Sequence, residues 1–191
     1  MMKPKERIYQ AFLHLQFAIK LFCFFENGHV QKEQFDCVTE IQTAGELLQY
    51  PQGAFHTDQD LILAAQNVYS TALGVCAIAL ESALQDYGVM NDPQDMSEKG
   101  ALRSFVYQIR NAFAHDAMFP RWSVKGAYQR VFDLRRFGIP ILIDLSQLDG
   151  ESLELEQFGG MRGFETLRDA VLRWVLAGDP TVSPLIVNPA H

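Results

Sequence analysis

Three side chains suited to chemistry fall within one six-residue stretch, Arg110-Asn111-Ala112-Phe113-Ala114-His115. A guanidinium grips an oxyanion with a fork of donors and neutralises charge that builds up on it. An imidazole, which ordinarily titrates near pH ~6.5, takes or gives a proton around neutrality. A carboxamide both donates and accepts, so Asn111 could orient either neighbour.

Their placement on a helix bears on whether they can cooperate. At about 100° per residue, Leu102, Phe105, Val106, Ile109, Ala112 and Phe113 share one arc of roughly 120°, which reads as the core stripe of a helix. Arg103, Tyr107, Arg110, Asn111, Ala114 and His115 fall on the other side. Arg110 and His115 stand about 140° apart on an ideal helix, so they do not stack, although the long arginine stem can bend toward the imidazole. Asn111 and His115 lie one turn apart and share a surface patch. Ala114 leaves room for close approach. Two structural readings compete with a catalytic one. Arg110 could pair with a carboxylate on a neighbouring helix, such as Glu81. His115 could be a cation complementing the negative end of its own helix.

An Arg-Asn-x-x-Ala-His pattern late in a helical bundle resembles the HEPN superfamily, over about residues 4–120. The family signature is an arginine, four to six residues, then a histidine, often with a polar residue directly after the arginine. Here those positions are Arg110, Asn111 and His115, at the shortest spacing. The resemblance implies a four-helix bundle that forms homodimers, with the Arg–His pairs of two subunits meeting at the two-fold axis. It implies a metal-independent endoribonuclease with no cofactor, in which Arg110, Asn111 and His115 are catalytic. Histidine would accept the proton of a ribose 2′-hydroxyl, and arginine would hold the phosphate. It also implies an RNA substrate, a role in toxin–antitoxin systems, defence or RNA processing, and a cognate antitoxin or other partner protein. The alternative is a non-catalytic HEPN-like module for dimerisation or for binding a nucleotide or partner. Some toxins of the family carry a tyrosine two residues after the histidine, where a partner enzyme modifies it. This chain has Ala117 there, so that route of regulation is not expected.

The elements that would position these residues can be read from periodicity. Ile8, Phe12, Leu15, Ile19 and Phe22 recur at helical spacing between Pro4 and Glu26, with Pro4 suited to a first turn. Leu13, Phe17, Leu21 and Phe24 form a second apolar row, so this helix is either central in a bundle or meets another subunit. A second helix is expected from Glu33 to Tyr50, and a long third one from Asp58 to Tyr87 in which Ala72, Gly74 and Ala77 permit close approach. Ser97 is a candidate N-cap for the fourth helix, which carries the motif. The fold class expected is therefore mainly α, with a HEPN-like bundle over residues 1–122. A strand-containing extension over 123–191 packs on the same domain. In it, Arg130–Leu134 and Ile139–Leu145 read as strands, Asp149-Gly150 as a hairpin turn before an alternating strand at Leu153 and Leu155, and Met161–Leu176 as a last helix. Pro180–His191 reads as an irregular tail.

Composition bounds what remains. With 191 residues, 48% hydrophobic and 12% aromatic, the chain suits one domain with a substantial core. A net charge of −7 repels polyanions at long range and opposes a nucleic-acid-coating role, though not a local phosphate site. Cys23, Cys37 and Cys76 are odd in number and form no Cys-x-x-Cys, so all three are expected as reduced core residues. His14, His29, His56 and His191 show no metal-ligand spacing. Gly159-Gly160 lacks the Lys-Ser/Thr of a phosphate loop. The longest apolar run in the body of the chain, Ala72–Leu80, is short of a membrane span. The basic start lacks a signal-peptide cleavage site. A cytoplasmic protein without a membrane partner is expected.

Overall fold

The computed structural model describes residues 2–177. Helix α1 (Pro4–Glu26) begins at proline, and the Glu6 carboxylate accepts the backbone N–H of Lys3. It stops at Asn27 and Gly28, where glycine adopts a left-handed φ of 68°. Helix α3 (Asp58–Asp86) opens with a reciprocal cap: the Thr57 hydroxyl accepts from Asp60 N–H, and the Asp60 carboxylate accepts from the N–H groups of Thr57 and His56. These bonds hold the Asp60 carboxyl below its usual range. Helix α4 (Glu98–His115) is capped by the Ser97 hydroxyl, as its sequence predicts.

The expected helix over Glu33–Tyr50 does not form. Only one turn is helical, α2 (Lys32–Phe35), and an antiparallel hairpin follows, with β1 (Thr39–Gln42) paired to β2 (Leu47–Tyr50). Thr39, Ile41 and Thr43 are β-branched and alternate with Glu40 and Gln42, which suits a strand better than a helix face. The Thr43 hydroxyl closes the turn by accepting from Glu46 N–H. Asp36 clamps the base by accepting from the N–H groups of Gly53, Ala54 and Phe55.

The four long helices are consequently α1, α3, α4 and the last one, α5 (Gly160–Ala177), which packs on the other three. The motif helix is third among them. One continuous core runs from Ile8 and Leu15 through Ala72, Leu80, Phe105 and Ile109 to Phe132, Phe164 and Val171. It thus joins the helical part to the region after Trp122. Gly74 lets the Phe113 ring close in: a Cβ there would lie 3.2 Å from it. All six residues of the expected α4 stripe are buried.

Arg103 departs from the expected polar side. It is buried, with a guanidinium nitrogen 2.5 Å from the Glu81 carboxylate of α3 and a second donating to the Val89 carbonyl at 2.7 Å. The polar arc of a helix need not face water when the neighbouring helix supplies a carboxylate. Glu81 is therefore paired to Arg103 and not to Arg110.

Beyond Trp122, β3 (Val131–Asp133) and β4 (Leu142–Asp144) pair antiparallel within the two expected segments. The hairpin strand expected after Asp149-Gly150 is absent. Residues Leu155–Phe158 instead make a 3-10 turn, although Leu153 and Leu155 are buried between exposed glutamates. The pairing is cut to a single antiparallel bridge of Ser152 with Arg121, where Trp122 N–H donates to the Glu151 carbonyl and Leu153 N–H to the Pro120 carbonyl, and beyond it the Gln157 side chain takes the Glu154 N–H. The expected tail lies outside the described residues.

Helices α1 and α3 are long and apolar enough to cross a membrane by length and composition alone. In the fold both contribute a buried face to the shared core. Of the cysteines only Cys76 is a core residue. Cys23, on the outer flank of α1, and Cys37, in the link beyond α2, are exposed. Burial pushes the Cys76 thiol up to about 12, against a smaller opposing effect of Arg168.

Two outcomes follow. Glu81→Ala strands a buried guanidinium and is expected to cost about 3 kcal/mol or more in urea unfolding; a loss near zero would refute the ion pair. Iodoacetamide at mildly alkaline pH is expected to label Cys23 and Cys37 in the folded protein, and Cys76 only in denaturant, as read by peptide mass spectrometry.

Candidate functional site

The residues singled out by type and spacing lie on the last turns of α4. The core stripe on the opposite side pins this helix against α3, and the ends of the stripe are held by the Gly74–Phe113 contact and by Arg103–Glu81. Arg110 and Asn111 are half-buried and His115 is exposed. Among the described residues, neither Arg110 nor His115 has a hydrogen-bond or ion-pair partner. Asn111 is tied: its amide donates to the Ser123 carbonyl at 3.4 Å, a long contact that orients the side chain toward the segment after Trp122. The fold thus leaves Arg110 and His115 uncommitted near the end of one helix.

The backbone around the histidine is held firmly. Asp116 leaves the helix in an extended conformation, and its carboxylate accepts from the N–H groups of Met118 and Phe119, both at 2.9 Å. The Ser70 hydroxyl of α3 donates to the carbonyls of Ala117 and Met118. His115 therefore projects from a helix end whose continuation is anchored, not from a free loop. One turn before Arg110 and Asn111, the Tyr107 ring lies beside Tyr128, with centroids 5.6 Å apart. Burial first, and then neighbouring Tyr107, push the Tyr128 phenol up. This places an aromatic pair on the same flank as the guanidinium.

Sequence reasoning missed a cavity of about 540 Å³ next to this helix end, walled by Asn67, Tyr69 and Phe113 and rimmed by Arg121, Glu154 and Glu156. Arg110 and His115 do not line it. Its residues come from three segments far apart in the chain, so no local spacing could have signalled it. Burial, and then the charge of Glu156, push the Tyr69 phenol up. Among the described residues, no group of three or more His, Cys, Asp or Glu side chains is arranged to hold a metal ion.

No protein-family model matches the sequence, and no curated protein or solved structure is detectably similar to it. The fold and this helix end therefore carry the functional argument alone.

Because Arg110 and His115 bear no structural partner, Arg110→Ala and His115→Ala are each expected to leave unfolding free energy unchanged within about 0.5 kcal/mol. Urea titration measures it, and a loss of 2 kcal/mol or more would mean that the side chain has a structural task.

Proposed function

We propose that this protein is a HEPN-like, metal-independent endoribonuclease acting on RNA from the end of α4. The observation that carries the reading is the pair of unpartnered side chains, Arg110 and His115, on a rigid helix and off its core stripe. Buried structural arginines find carboxylates, as Arg103 does; Arg110 has none among the described residues.

The chemistry needs few parts. The Arg110 guanidinium holds the non-bridging oxygens of a phosphodiester and stabilises the charge that develops there. The His115 imidazole accepts the proton of the adjacent ribose 2′-hydroxyl. The 2′-oxygen attacks phosphorus and the bond from phosphorus to the 5′-oxygen breaks. The departing oxygen takes a proton from the imidazolium or from water. The products are a 2′,3′-cyclic phosphate and a 5′-hydroxyl. Asn111, fixed toward Ser123, orients the substrate beside them. Nucleophile and leaving group both belong to the RNA, so the step requires no metal. Tyr107 and Tyr128 offer faces on which a base could stack. We place the protein in the cytoplasm as a homodimer, in a toxin, defence or RNA-processing setting with a cognate partner protein. The net charge of −7 makes capture of free RNA weak, which fits a partner that delivers the substrate.

A second reading is a non-catalytic HEPN-like module that binds a partner or nucleotide. The exposure of His115, with no carboxylate to orient its ring, favours it. Catalytic histidines are commonly held by such a group.

The test is incubation with mixed RNA in EDTA. Cleavage to cyclic-phosphate ends is expected, and His115→Ala and Arg110→Ala are each expected to slow it about a hundredfold or more. Absence of cleavage, or cleavage that survives His115→Ala, would exclude the enzyme. Harmless expression of the wild type, with no change in growth on Arg110→Ala, would favour the module.

A further inference from the structure

Of the second apolar row of α1, Leu21 packs against the cluster of Phe25, Leu61 and Ala65, whereas Leu13, Phe17 and Phe24 are left uncovered and Tyr9 continues them toward the N-terminus. Tyr9 is 64% exposed, Leu13 48%, Phe17 61% and Phe24 49%. At about 100° per residue, these four fall within an arc of roughly 80°, pointing away from the buried face made by Ile8, Phe12, Leu15 and Ala18. Exposed Val75 and Ile78 extend the apolar surface onto α3, across a groove they share with Gln10 and His14. On the other flank, Tyr9 and Leu13 border a groove of about 360 Å³ closed by Leu172 and Arg168 of α5. Contiguous apolar surface of this kind marks a contact site.

The spacing along the row identifies what covers it. Tyr9 and Phe17 stand four residues before and after Leu13, and Glu6 and Lys20 stand seven before and after it. All five share the exposed arc, and Glu6 and Lys20 are themselves exposed. The row is therefore symmetric in size about Leu13 and antisymmetric in charge. A two-fold axis through Leu13 would lay a second α1 antiparallel on the first. Leu13 would meet the partner's Leu13, Tyr9 would meet the partner's Phe17, and Glu6 would meet the partner's Lys20. Each of the last two contacts is then made twice, as an isologous interface requires. A parallel pairing would set Glu6 against its own copy and Lys20 against its own.

We infer that the protein forms a symmetric homodimer through α1, with Leu13 on the axis and reciprocal Glu6–Lys20 ion pairs at the edges. The groove between Leu13 and Leu172 takes the partner's Phe17 ring. The exposed arc of α1 faces away from the core, and α3 lies between α1 and α4 in the packing order. The interface lies on α1, whereas Arg110 and His115 lie on α4, so it differs from the pairing at the axis that the HEPN resemblance implies. The inference does not rest on the nuclease reading.

Sedimentation velocity of the full chain tests it. The wild type is expected at twice its 21.6 kDa mass at tens of micromolar. Leu13→Glu is expected to give monomers with unchanged helical circular dichroism, because Leu13 contributes nothing to the core. Glu6→Lys and Lys20→Glu each create two like-charge contacts and are expected to weaken the dimer about tenfold. Combining them restores opposite charges, and the double variant is expected to dimerise better than either single one. Glu6 also accepts from Lys3 N–H at the start of α1. Loss of that cap is common to Glu6→Lys and the double variant, so it cannot mimic the rescue. A monomeric wild type, a dimer indifferent to Leu13→Glu, or a double variant no better than the single ones would each overturn the inference.

Discussion

The Phe105 ring sits where three others converge. Trp122 is stacked against it at 6.5 Å, Phe132 is tilted at 5.6 Å and Phe158 meets it edge-on at 5.5 Å. These rings come from the segment after α4, from β3 and from the turn before α5. Aromatic clusters of this kind combine a large buried area with favourable edge and offset contacts. Phe105 is thus the point at which the helical part and the C-terminal part become one core, and it lies on the motif helix. Every other feature of the candidate site inherits its position from this packing. It sets the rotation of α4, and the rotation decides which side chains are left outside.

Two polar devices complete that setting. The buried Arg103–Glu81 pair locks α4 to α3 near one end, and the Ser70 hydroxyl anchors the chain just past the other. Between them Gly74 removes the side chain that would keep Phe113 at a distance. Arg110 and His115 then emerge from a helix with little freedom to rotate.

The protein also leaves apolar surface unused. Every strand residue of the 39–50 hairpin is exposed, including Ile41, Leu47 and Tyr50. A two-stranded hairpin with no face packed has little to hold it beyond its turn and the Asp36 clamp. The α1 row differs because its exposed side chains are ordered about a centre. Helix α1 carries two apolar faces, one buried in the core and the other exposed.

Local chemistry made much of the scaffold legible. The cap at Ser97, the first-turn Pro4, the apolar periodicity and the Leu102–Phe113 stripe are short-range features, so the sequence alone determined where α1, α3, α4 and α5 run. It also singled out Arg110, Asn111 and His115, because type and spacing along one helix are local properties. The segment 33–50 was misread because its scattered apolar residues fit neither period well, and β-branched residues with a threonine-closed turn carried the balance. In the 149–156 segment the strand pairing stops after the Ser152–Arg121 bridge, because the Gln157 side chain takes the Glu154 N–H and the chain turns into a 3-10 helix. Tertiary structure alone decided that Arg103, and not Arg110, meets Glu81. It also decided that Cys23 and Cys37 face outward, and that a cavity opens beside Phe113. A burial or a partner across helices depends on the relative rotation of two elements. That rotation is fixed by the sum of many contacts and is carried by no single stretch of sequence.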